Sequence, residues 1–535
     1  MTLRQANLSK LDKKPFDVLI VGGGINGAVS AAALSAQGCS VALIDRGDFG
    51  GLTSQSSSNL VWGGIKYMEN FEFPLVWKLC ASRNRLLRSY PANIREIRFY
   101  AATPQGYRWP SWMMYGGTSL YWLFGRLFTR MPRLLTLRNM RKEEPIIRTE
   151  AFTGGVEYSD AYLVDNDARF VFNFVRGALN SGAIAANYVE LLEAKRQGEL
   201  WTARVRDVDL GVEMTVQARV LLNAAGPYVD AVNQKNGVQT AHRHVFSKGI
   251  HLVVRRLAQA ERVLTFFEKS GRMYFVIPMG ACSVIGTTDT PVDQPETRVT
   301  AADRAYVLTN INPCLRLDQP LTQADIIAER CGVRPLVVDA SAAKSNQEWF
   351  ALSRKHEIDL GDHHLSIFGG KLTDCLNVGE EVVEIVSKMG IPMKEKAECW
   401  YGEAPDSTCQ EFFRQARLMH LDELRESDTH EKLSTRLWRR YGIRAFFMLE
   451  QIRRQPGMEE VLIKGSQYLR CELYHAATIE MVTRLDDFLR RRSKIALVIP
   501  RDELKQAKGL DEAARILFQD DAQRRLDEYF AMPPV

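Results

Sequence analysis

The first fifty residues show the apolar and small-residue pattern of a strand, a helix and a second strand. Residues 16–21, FDVLIV, form an apolar, β-branched run of strand length. The alanine-rich residues 27–37 predict a helix, and Gly38 is placed to end it. Residues 41–44, VALI, predict the second strand.

The turn between the first strand and the helix carries the pattern G-x-G-x-x-G. Gly22 would make the tight turn, Gly24 would let the backbone approach a pyrophosphate, and Gly27 would let the helix pack closely on the strand. The helix N-terminus would direct amide donors at the same group. Asp45 closes the second strand, where its carboxylate can accept a hydrogen bond from a ribose hydroxyl. The unit therefore predicts dinucleotide binding, and a glycine turn without a ligand is the alternative.

The polar run in residues 52–67, LTSQSSSNLVWGGIKY, helps to choose between the two common dinucleotides. NAD and FAD domains share the glycine pattern, but an NAD domain usually returns at once to another strand and helix. Here the second strand is followed by an extended stretch of hydroxyl and amide groups. Because FAD has a polar ring edge and a ribityl chain to satisfy, the run favours FAD as the cofactor.

Residues 107–142 combine aromatic and basic side chains. Residues 110–125 carry no charge and hold five aromatic residues, and six Arg or Lys residues follow between positions 126 and 142. Tryptophan, tyrosine and arginine are typical of the membrane interface, and the run is too short to span a bilayer. The pattern predicts an interfacial, monotopic attachment. The alternative is a helical cap whose aromatic side chains pack on the cofactor domain or on a partner subunit.

Beyond about residue 395 the pattern becomes helical. Residues 398–410 are typical of a connection, and apolar residues then recur every three to four positions. The basic cluster in residues 490–494, RRRSK, is predicted to be a solvated helix end that complements the helix dipole. Binding to anionic lipid is the second interpretation of this cluster, and binding to nucleic acid is the third. Its basic members are Arg490, Arg491, Arg492 and Lys494.

Length and composition add limits to this picture. The chain has 535 residues, which predicts two or three domains. Its 46% hydrophobic and 25% charged residues are typical of a soluble globular protein. The net charge of +6 is small for this length, so we expect no nucleic-acid partner.

The cysteines and the N-terminus bear on metal sites and cellular location. The nine cysteines are dispersed, with neither a CxxC pair nor a Cys/His group at zinc spacing, so we expect no metal site and a reducing cytoplasm. The N-terminus has no apolar core of a signal peptide. No stretch reaches the roughly eighteen apolar residues that a membrane span needs.

Eight motifs in order along the chain carry a resemblance to a known family. From about residue 15 to the C-terminus the chain resembles the FAD-dependent, quinone-linked glycerol-3-phosphate dehydrogenases, within the broader glycine/D-amino-acid oxidase-like flavoproteins. The motifs are VGGGINGA (21–28), TSQSSSNLVWGGIKYME (53–69), EYSDAYLVDNDAR (157–169), LLNAAGPYVD (221–230), SKGIHLVV (247–254), VIGTTDTP (284–291), GVRPL (332–336) and FGGKLTD (368–374).

This resemblance implies a fold and a reaction. The fold would be α/β, with an FAD-binding Rossmann-like domain interleaved with a mixed β-sheet substrate domain over residues 15–395, and an all-α helical cap over residues 400–535. The reaction would be oxidation of sn-glycerol 3-phosphate to dihydroxyacetone phosphate, with electrons passed to a quinone. The open alternatives are another 2-hydroxy acid or an amine as substrate, oxygen as acceptor, or a flavin-binding protein that has lost its activity.

The expected cofactor site joins the glycine turn to the polar run and to two later motifs. By resemblance, LLNAAGP is a strand whose end packs by the cofactor, and the helix that follows FGGKLTD points at the flavin, where it would stabilise negative charge on the reduced ring. The residues that we expect around FAD are Gly22, Gly24, Ile25, Asn26, Gly27, Asp45, Thr53, Ser54, Ser58, Asn59, Gly64, Ala225, Gly226, Gly370, Lys371, Leu372 and Thr373.

The expected substrate site also follows from the resemblance. His251 would be the base, because its ordinary pKa suits proton transfer near neutral pH. Arg334 would hold the phosphate, because its planar fork donates two hydrogen bonds at once. Lys371 would sit beside the flavin. The residues expected to contact substrate are Lys66, Tyr67, Arg334, Arg354 and Thr288, with His251, Arg334 and Lys371 as the catalytic set.

Each of these residues also has an ordinary structural interpretation. A lone histidine in an apolar strand, such as His251, is usually a packed and hydrogen-bonded residue. Arg354 lies in a charged stretch and would pass for a solvated strand-end arginine. Thr288 and Asp289 could form a polar wall or a simple turn, and Asp289 could cap a neighbouring segment.

The chain departs from the family pattern in three places. It has Asn59 and Trp62 where the family usually has lysine and histidine, and Lys66 where the family usually has arginine. It also has Asp374 and Cys375 where a tyrosine–arginine pair usually follows GGKLT. Lysine at position 66 keeps the positive charge but loses the bidentate geometry.

The expected partners and location complete the prediction. We expect a phosphorylated polyol as substrate, a quinone as electron acceptor and a membrane surface as docking partner. A homodimer is compatible with the sequence. The expected location is the cytoplasm, peripheral on the inner face of the cytoplasmic membrane.

Overall fold

A computed structural model describes residues 2–268, 271–295, 297–341, 355–393, 399–424 and 431–533. Within these residues two mixed sheets are joined by helices and followed by a helical C-terminal region. The strands of the first sheet are β1 (Phe16–Val21), β2 (Val41–Ile44), β7 (Ile184–Ala186), β8 (Val189–Gln197), β9 (Leu200–Asp207), β10 (Glu213–Asn223), β17 (Glu357–Gly361) and β18 (His364–Phe368).

The second sheet is longer and mainly antiparallel. The long strands β11 and β16 pair antiparallel along their length, and β14 lies on the other side of β11. Its described strands are β3 (Leu60–Val61), β4 (Ile94–Pro104), β5 (Arg133–Leu135), β6 (Phe152–Leu163), β11 (His242–Arg255), β12 (Arg262–Phe267), β13 (Met273–Met279), β14 (Cys282–Gly286), β15 (Thr290–Val292) and β16 (Ala328–Asp339).

The helices fall into two groups. Those that accompany the sheets are α1 (Leu3–Leu8), α2 (Ile25–Ala36), α3 (Phe73–Ser89), α4 (Ser111–Phe124), α5 (Leu137–Glu143), α6 (Asp167–Asn180), α7 (Val229–Lys235), α8 (Ala301–Ile311) and α9 (Cys375–Lys388). Those of the C-terminal region are α10 (Asp406–Leu418), α11 (Leu433–Tyr441), α12 (Ala445–Arg454), α13 (Arg470–Ile479), α14 (Ile495–Val498), α15 (Arg501–Lys505), α16 (Leu510–Phe518) and α17 (Ala522–Ala531).

The first sheet has the parallel centre of a dinucleotide-binding domain. Strand β1 pairs in parallel with β2 and β10, and β18 pairs in parallel with β10. Helix α2 crosses from β1 to β2 and packs against α6 and α9 over a common apolar core. The predicted strand–helix–strand order is confirmed. The helix begins at Ile25, two residues earlier than predicted, because Gly24 has an extended backbone and acts as its N-cap.

The second sheet brings separate motifs of the sequence together. Alternate residues of a strand point to the same face. The β11–β16 register therefore places a histidine, two arginines and two glycines on one face. The opposed pairs are Ser247 with Arg334, Gly249 with Gly332, and His251 with Arg330. The predicted α/β class, with a substrate sheet and a helical C-terminal region, is confirmed.

The polar run of residues 52–67 is not extended as predicted. It forms two short 3₁₀ helices, Leu52–Gln55 and Ile65–Asn70, on either side of β3. Small polar side chains favour such turns because they hydrogen-bond to nearby backbone. The hydroxyl of Thr53 donates to the carbonyl oxygen of Val333 at 2.7 Å, and β3 pairs with β6. The run therefore ties the cofactor side of the molecule to the second sheet.

Buried ion pairs hold the C-terminal helices on the first domain. Asp165 accepts from Arg439 at 2.7 Å and from Arg440 at 2.9 Å. Glu480 pairs with Arg169 at 2.7 Å and with Arg176. These charges are buried, so each needs its partner to offset its lost hydration.

The basic cluster of residues 490–494 was predicted to be solvated, and that prediction is wrong. Arg490, Arg491 and Arg492 are buried. A π-helical turn, Asp487–Arg492, directs Arg491 and Arg492 onto Asp48 of the first domain. An arginine run looks the same in sequence whether its partner is water or a distant carboxylate, which explains the error.

Because of these ion pairs between the two regions, the stability of the fold depends on pH in the acid range. Burial opposes ionisation of Glu480, but Arg169 and Arg176 outweigh it and hold the pKa of Glu480 well below its usual range. A carboxylate with a depressed folded-state pKa stabilises the fold above its unfolded pKa, and that stability is lost as the pH falls through both values. We expect the unfolding temperature to drop as the pH falls below about 4.3.

Calorimetric scans of the wild type and the Glu480→Gln variant measure this effect. The variant should melt at a lower temperature near neutral pH, because two buried guanidinium groups lose their counter-charge. As the pH falls, the melting temperature of the variant should then change less than that of the wild type. Equal acid dependence in the two proteins would contradict the assignment.

Candidate active site

The glycine turn leaves no space for side chains at two positions. A Cβ atom at Gly27 would lie 1.8 Å from the carbonyl oxygen of Gly22. A Cβ atom at Gly22, whose φ is +105°, would lie 2.4 Å from the carbonyl oxygen of Ala224. Helix α2 therefore starts in direct contact with the end of β1, and its first amide groups face the space beyond the turn.

That space is a cavity of about 480 Å³ between the strand ends of the first sheet, the polar run and the glycine pair after β18. The expected cofactor residues that line it come from four separate motifs, which the fold has brought together. They are Gly22, Gly24, Ile25, Asn26, Asp45, Thr53, Ser54, Ala225, Gly226 and Gly370.

Asp45 is partly buried at the rim of the cavity and holds the turn closed. Its carboxylate accepts from the backbone N–H of Gly23 at 2.6 Å and of Gly47 at 2.8 Å. Burial raises the pKa of Asp45, and these two amide donors oppose the rise. Asp45 thus has a structural role in addition to the predicted hydrogen bond to a ribose hydroxyl.

Several features of the cavity fit an FAD molecule. The side-chain oxygen of Asn26 is buried and has no hydrogen-bond partner within the described part of the chain. Gly226 has a φ of +57°, and a Cβ atom there would meet no heavy atom within 4 Å. The glycine turn and the start of α2 present amide donors suited to a pyrophosphate. A donor-rich turn, a polar acceptor and an open glycine edge are what an extended dinucleotide requires.

His251 lies on β11 beyond the polar run. It is buried, and neither of its ring nitrogens has a hydrogen-bond partner among the described residues. Burial, with the nearby charges of Arg330 and Arg334, lowers the pKa of His251 to about 3. The imidazole is therefore neutral at physiological pH, and in this structure it is a weaker base than its ordinary pKa led us to expect. The alternative of a packed, hydrogen-bonded histidine does not match these unsatisfied nitrogens.

Arg334 is held flat against the backbone of β11. A Cβ atom at Gly249 would lie 2.2 Å from one of its guanidinium nitrogens, so glycine is needed beneath it. Arg334 donates to the carbonyl oxygen of Thr288 at 3.0 Å and to the hydroxyl of Thr287 at 2.9 Å. Asp289 pairs with the same guanidinium at 3.3 Å. The GTTDT segment thus orients Arg334.

Arg330, two residues before Gly332, was not anticipated from the sequence. It is buried, and it pairs with Asp167 at 2.6 Å and donates to the side chain of Asn59 at 3.1 Å. Asn59 in turn donates to the carbonyl oxygen of Asp165 at 2.6 Å. Asn59, predicted to bind the cofactor, is therefore engaged in a buried network and does not line the cavity described above.

The glycine pair after β18 is fixed on two sides. Asn26 donates to the carbonyl oxygen of Gly369 at 3.0 Å. The backbone N–H of Gly369 donates to Nε2 of His244, also at 3.0 Å. Nδ1 of His244 lies 3.0 Å from Asp230, so the proton of a neutral His244 sits on Nδ1. Neither residue was singled out from the sequence, since His244 lies outside the motifs and Asp230, the last residue of LLNAAGPYVD, has no distinguishing pattern there.

The remaining expected residues lie around this centre. Lys371 places its ammonium 3.9 Å from the ring centroid of Tyr67, and Lys66 precedes Tyr67 on the same 3₁₀ turn. The hydroxyl of Thr373 donates to the carbonyl oxygen of Trp62 at 3.1 Å. Arg354 lies outside the described residues. The expected cofactor residues that do not line the cavity are Gly27, Ser58, Asn59, Gly64, Lys371, Leu372 and Thr373.

Other residues line the cavity without having been predicted. Arg46 stacks on the ring of Tyr228 with its guanidinium 3.7 Å from the ring centroid. Tyr188 and Val208 line the cavity on the side of β8 and β9, and Arg491 reaches it from the C-terminal region. Tyr188, Val208 and Arg491 come from segments distant from the glycine turn, so no local pattern indicated them, whereas Arg46 directly follows the predicted Asp45.

The fold and this cavity define a dinucleotide-binding oxidoreductase, and comparison with known proteins identifies its family. The family model of FAD-dependent oxidoreductases matches residues 17–363. The model for the C-terminal domain of alpha-glycerophosphate oxidase matches residues 405–524. The chain therefore belongs to the FAD-dependent oxidoreductases, in the family that includes the aerobic glycerol-3-phosphate dehydrogenases.

Individual relatives agree with this assignment. The chain is 30% identical to the aerobic glycerol-3-phosphate dehydrogenase of Escherichia coli, covering 91% of this chain and 95% of that protein. It is 29% identical to the D-erythritol 1-phosphate dehydrogenase of Brucella abortus, covering 89% of this chain and 94% of that protein. The glycerol-3-phosphate dehydrogenase of Bacillus halodurans, solved with FAD, has the same fold at a TM-score of 0.74 and 24% identity, covering 99% of this chain and 97% of that one. FAD is accordingly the cofactor.

The glycine turn gives a direct test of the cofactor site. In Gly27→Ala the new methyl group would overlap the carbonyl oxygen of Gly22 at 1.8 Å, so α2 must move away from the turn. We expect this variant to be purified without the visible absorbance of bound FAD.

Gly177→Ala is the matched control for this test. Gly177 lies in α6, where a Cβ atom meets no heavy atom within 4 Å. Alanine there should keep FAD and raise the free energy of unfolding by about 0.5–1 kcal/mol, because helical glycine is entropically unfavourable. Full FAD content in Gly27→Ala would refute the cavity assignment.

Proposed function

We propose that the protein oxidises sn-glycerol 3-phosphate at carbon 2 to dihydroxyacetone phosphate and passes the electrons to a quinone. The observation that carries this proposal is the shared sheet face of His251 and Arg334. On this face lie the neutral imidazole of His251, whose ring nitrogens have no hydrogen-bond partner among the described residues, and the guanidinium of Arg334, whose orientation is fixed by hydrogen bonds. Oxidation of a phosphorylated secondary alcohol needs both a proton acceptor and an anion holder.

His251 is the proton acceptor in this proposal. Its neutral ring has free lone-pair capacity in a buried site, so a bound hydroxyl would supply its missing hydrogen bond. Burial, and after it the charges of Arg330 and Arg334, disfavours the imidazolium and lowers the pKa of His251. A phosphate dianion bound to Arg334 would offset part of this repulsion, so substrate binding itself would make His251 a stronger base.

Arg334 is the anion holder. Its hydrogen bonds to Thr287 and Thr288 fix the plane of the guanidinium before substrate arrives, which lowers the entropic cost of binding. Lys66 and Lys371 add positive charge on the facing turns, beside Tyr67. When bound, FAD supplies the acceptor for two electrons and the hydrogen removed from carbon 2.

The choice of polyol is the open point of the proposal. The relative from Brucella abortus is named for D-erythritol 1-phosphate, a longer phosphorylated polyol. This chain has Lys66 where the family pattern has arginine, which leaves the positive charge but loosens the geometry at the phosphate. If the substrate is another 2-hydroxy acid or an amine, or if activity has been lost, phosphorylated polyols will fail to react.

Anaerobic reduction of the purified holoenzyme tests the proposal. We expect sn-glycerol 3-phosphate to bleach the visible band of the enzyme, and glycerol, which lacks the phosphate, to leave it unchanged. His251→Asn should slow bleaching about a hundred-fold or more, because the proton acceptor is lost. Stopped-flow absorbance measures both effects.

His364→Asn is the matched control. His364 is also a buried histidine with a pKa lowered by burial, to about 4, but it lies on β18 next to Trp201. The flavin of the His364→Asn variant should bleach at the wild-type rate. A wild-type rate in His251→Asn would overturn the role of His251. A wild type that is reduced by dithionite but by no phosphorylated polyol would overturn the proposed substrate.

A surface around α4 supports a membrane partner. Trp112 is 65% exposed, Phe71 is 76% exposed and Met131 is 60% exposed. The other face of α4 is packed, since Thr118 and Tyr121 are buried. Among the described residues, no helix has the length and apolar character needed to cross a bilayer. A one-sided apolar helix with flanking arginines is suited to the plane of a membrane interface.

The same surface adjoins the polar run. A Cβ atom at Gly63 would lie 2.2 Å from the hydroxyl of Tyr121, so α4 packs directly on the segment that leads from the cofactor to the substrate site. An acceptor dissolved in the membrane would therefore approach from this side. This proximity supports a lipid-soluble quinone over oxygen as the proposed acceptor.

Vesicle sedimentation tests the membrane proposal. We expect the wild type to sediment with phosphatidylglycerol vesicles, and the double variant Trp112→Glu, Leu123→Glu to lose at least about ten-fold in affinity, because two apolar anchors become charged. Leu418→Glu is the control, since Leu418 is equally exposed but lies on the C-terminal helices. Equal sedimentation of all three proteins would refute the docking surface.

A further inference from the structure

The C-terminal helical region reaches the cofactor cavity through one short segment. The π-helical turn Asp487–Arg492 lies against the loop that follows β2, and Arg491 lines the cavity itself. Helices α13 and α14 flank this turn in the chain. No local sequence motif links this turn to the dinucleotide site.

Asp48 is the point of attachment. Its carboxylate is fully buried and accepts four hydrogen bonds: from Arg491 Nε at 2.8 Å, from Arg492 at 2.9 and 2.8 Å, and from Asn187 at 2.9 Å. Burial opposes ionisation, but Arg492 and Arg491 outweigh it and lower the pKa of Asp48. The loop is thus held through Asp48 by two arginines from the C-terminal region of the chain.

The anchored loop closes on the glycine turn. Phe49, the residue after Asp48, lies close to Gly23. A Cβ atom at Gly23 would be 2.3 Å from the ring of Phe49. The next residue, Gly50, donates its backbone N–H to the carbonyl oxygen of Gly23 at 2.9 Å. Arg492 also stacks 3.9 Å from the ring centroid of Phe172, which contacts Phe49.

Arg491 acts through this loop, because its donors are already used inside the protein. Its Nε donates to Asp48, one terminal nitrogen donates to the side chain of Gln55 at 3.0 Å, and the other donates to Asp487 at 2.6 Å. Gln55 belongs to the polar run and also lines the cavity. Arg491 is therefore a positioning residue that holds two walls of the cavity together.

We propose that docking of the π-helical turn Asp487–Arg492 on the loop after β2 locks the FAD cavity, with Arg491 and Arg492 holding Asp48 so that the Phe49–Gly50 backbone closes on Gly23. FAD affinity and the docked state of this turn are then linked: each favours the other by the same factor. The turn serves as a latch for the cofactor in addition to any role of the helical region in substrate binding.

The test compares two arginines of the same interface. Arg491→Gln removes the guanidinium that is bonded to Asp48, Gln55 and Asp487. The matched control is Arg439→Gln: Arg439 is equally buried and pairs with Asp165 at 2.7 Å and with Glu431, also at 2.7 Å, but it does not line the cavity. FAD release is measured from the rise of flavin fluorescence when each holoenzyme is diluted, and unfolding temperature is measured in parallel.

Both variants should melt earlier, since both leave buried charges uncompensated. Arg491→Gln should also raise the FAD dissociation constant about ten-fold or more, whereas Arg439→Gln should stay within about two-fold of the wild type. Equal FAD release from the two variants would overturn the proposal, because the effect would then reflect general destabilisation. Rescue by Arg491→Lys should be incomplete, because lysine cannot bridge Asp48, Gln55 and Asp487 together.

Hydrogen exchange of the wild type gives a second measurement if Arg491→Gln does not fold. The linkage predicts that removal of FAD accelerates exchange in residues 481–493, far along the chain from the glycine turn, and that added FAD restores protection. Unchanged exchange there, with altered exchange at residues 22–28, would overturn the latch. Neither readout depends on turnover, so failure of the proposed substrate would leave this test intact.

Discussion

The contact between Gly27 and the carbonyl oxygen of Gly22 is the constraint on which the cofactor half of the molecule depends. Only glycine allows α2 to begin this close to the turn, because a Cβ atom at Gly27 would lie 1.8 Å from the carbonyl oxygen of Gly22. This closeness aims the first amide groups of α2 into the cavity and seats α2 against α6 and α9. Because the centre of the first sheet is parallel, its strand ends converge on the same edge, and the ligand lies there.

The two sheets carry different parts of the candidate active site. The first sheet supplies backbone donors for the cofactor, and the second supplies His251 and Arg334 on one face. The polar run joins them, with Thr53 bonded to β16 and β3 paired to β6. Its many hydroxyl groups therefore serve two purposes, since some face the cavity and others hold the sheets in register.

Buried charge is used repeatedly to join distant segments. Arg330 with Asp167, Arg439 with Asp165, and Arg492 with Asp48 are each nearly inaccessible to solvent. A buried pair adds little net stability over an apolar pair, but a mismatched arrangement is costly. The Arg439 and Arg492 pairs therefore favour one way of docking the C-terminal helices, and the Arg492 pair does so at the loop that borders the cofactor cavity.

The sequence by itself determined the strand–helix–strand unit, the glycine turn, the FAD class and the strand that carries His251. These features depend on short-range periodicity and on the backbone needs of glycine, which a few neighbouring residues encode. Only the tertiary structure decided that Asn59 joins a buried network, that His244 holds Gly369, and that Arg491 reaches Asp48. The last two residues are 443 positions apart in sequence, and the energy of burying a charge depends on a partner that no local pattern names.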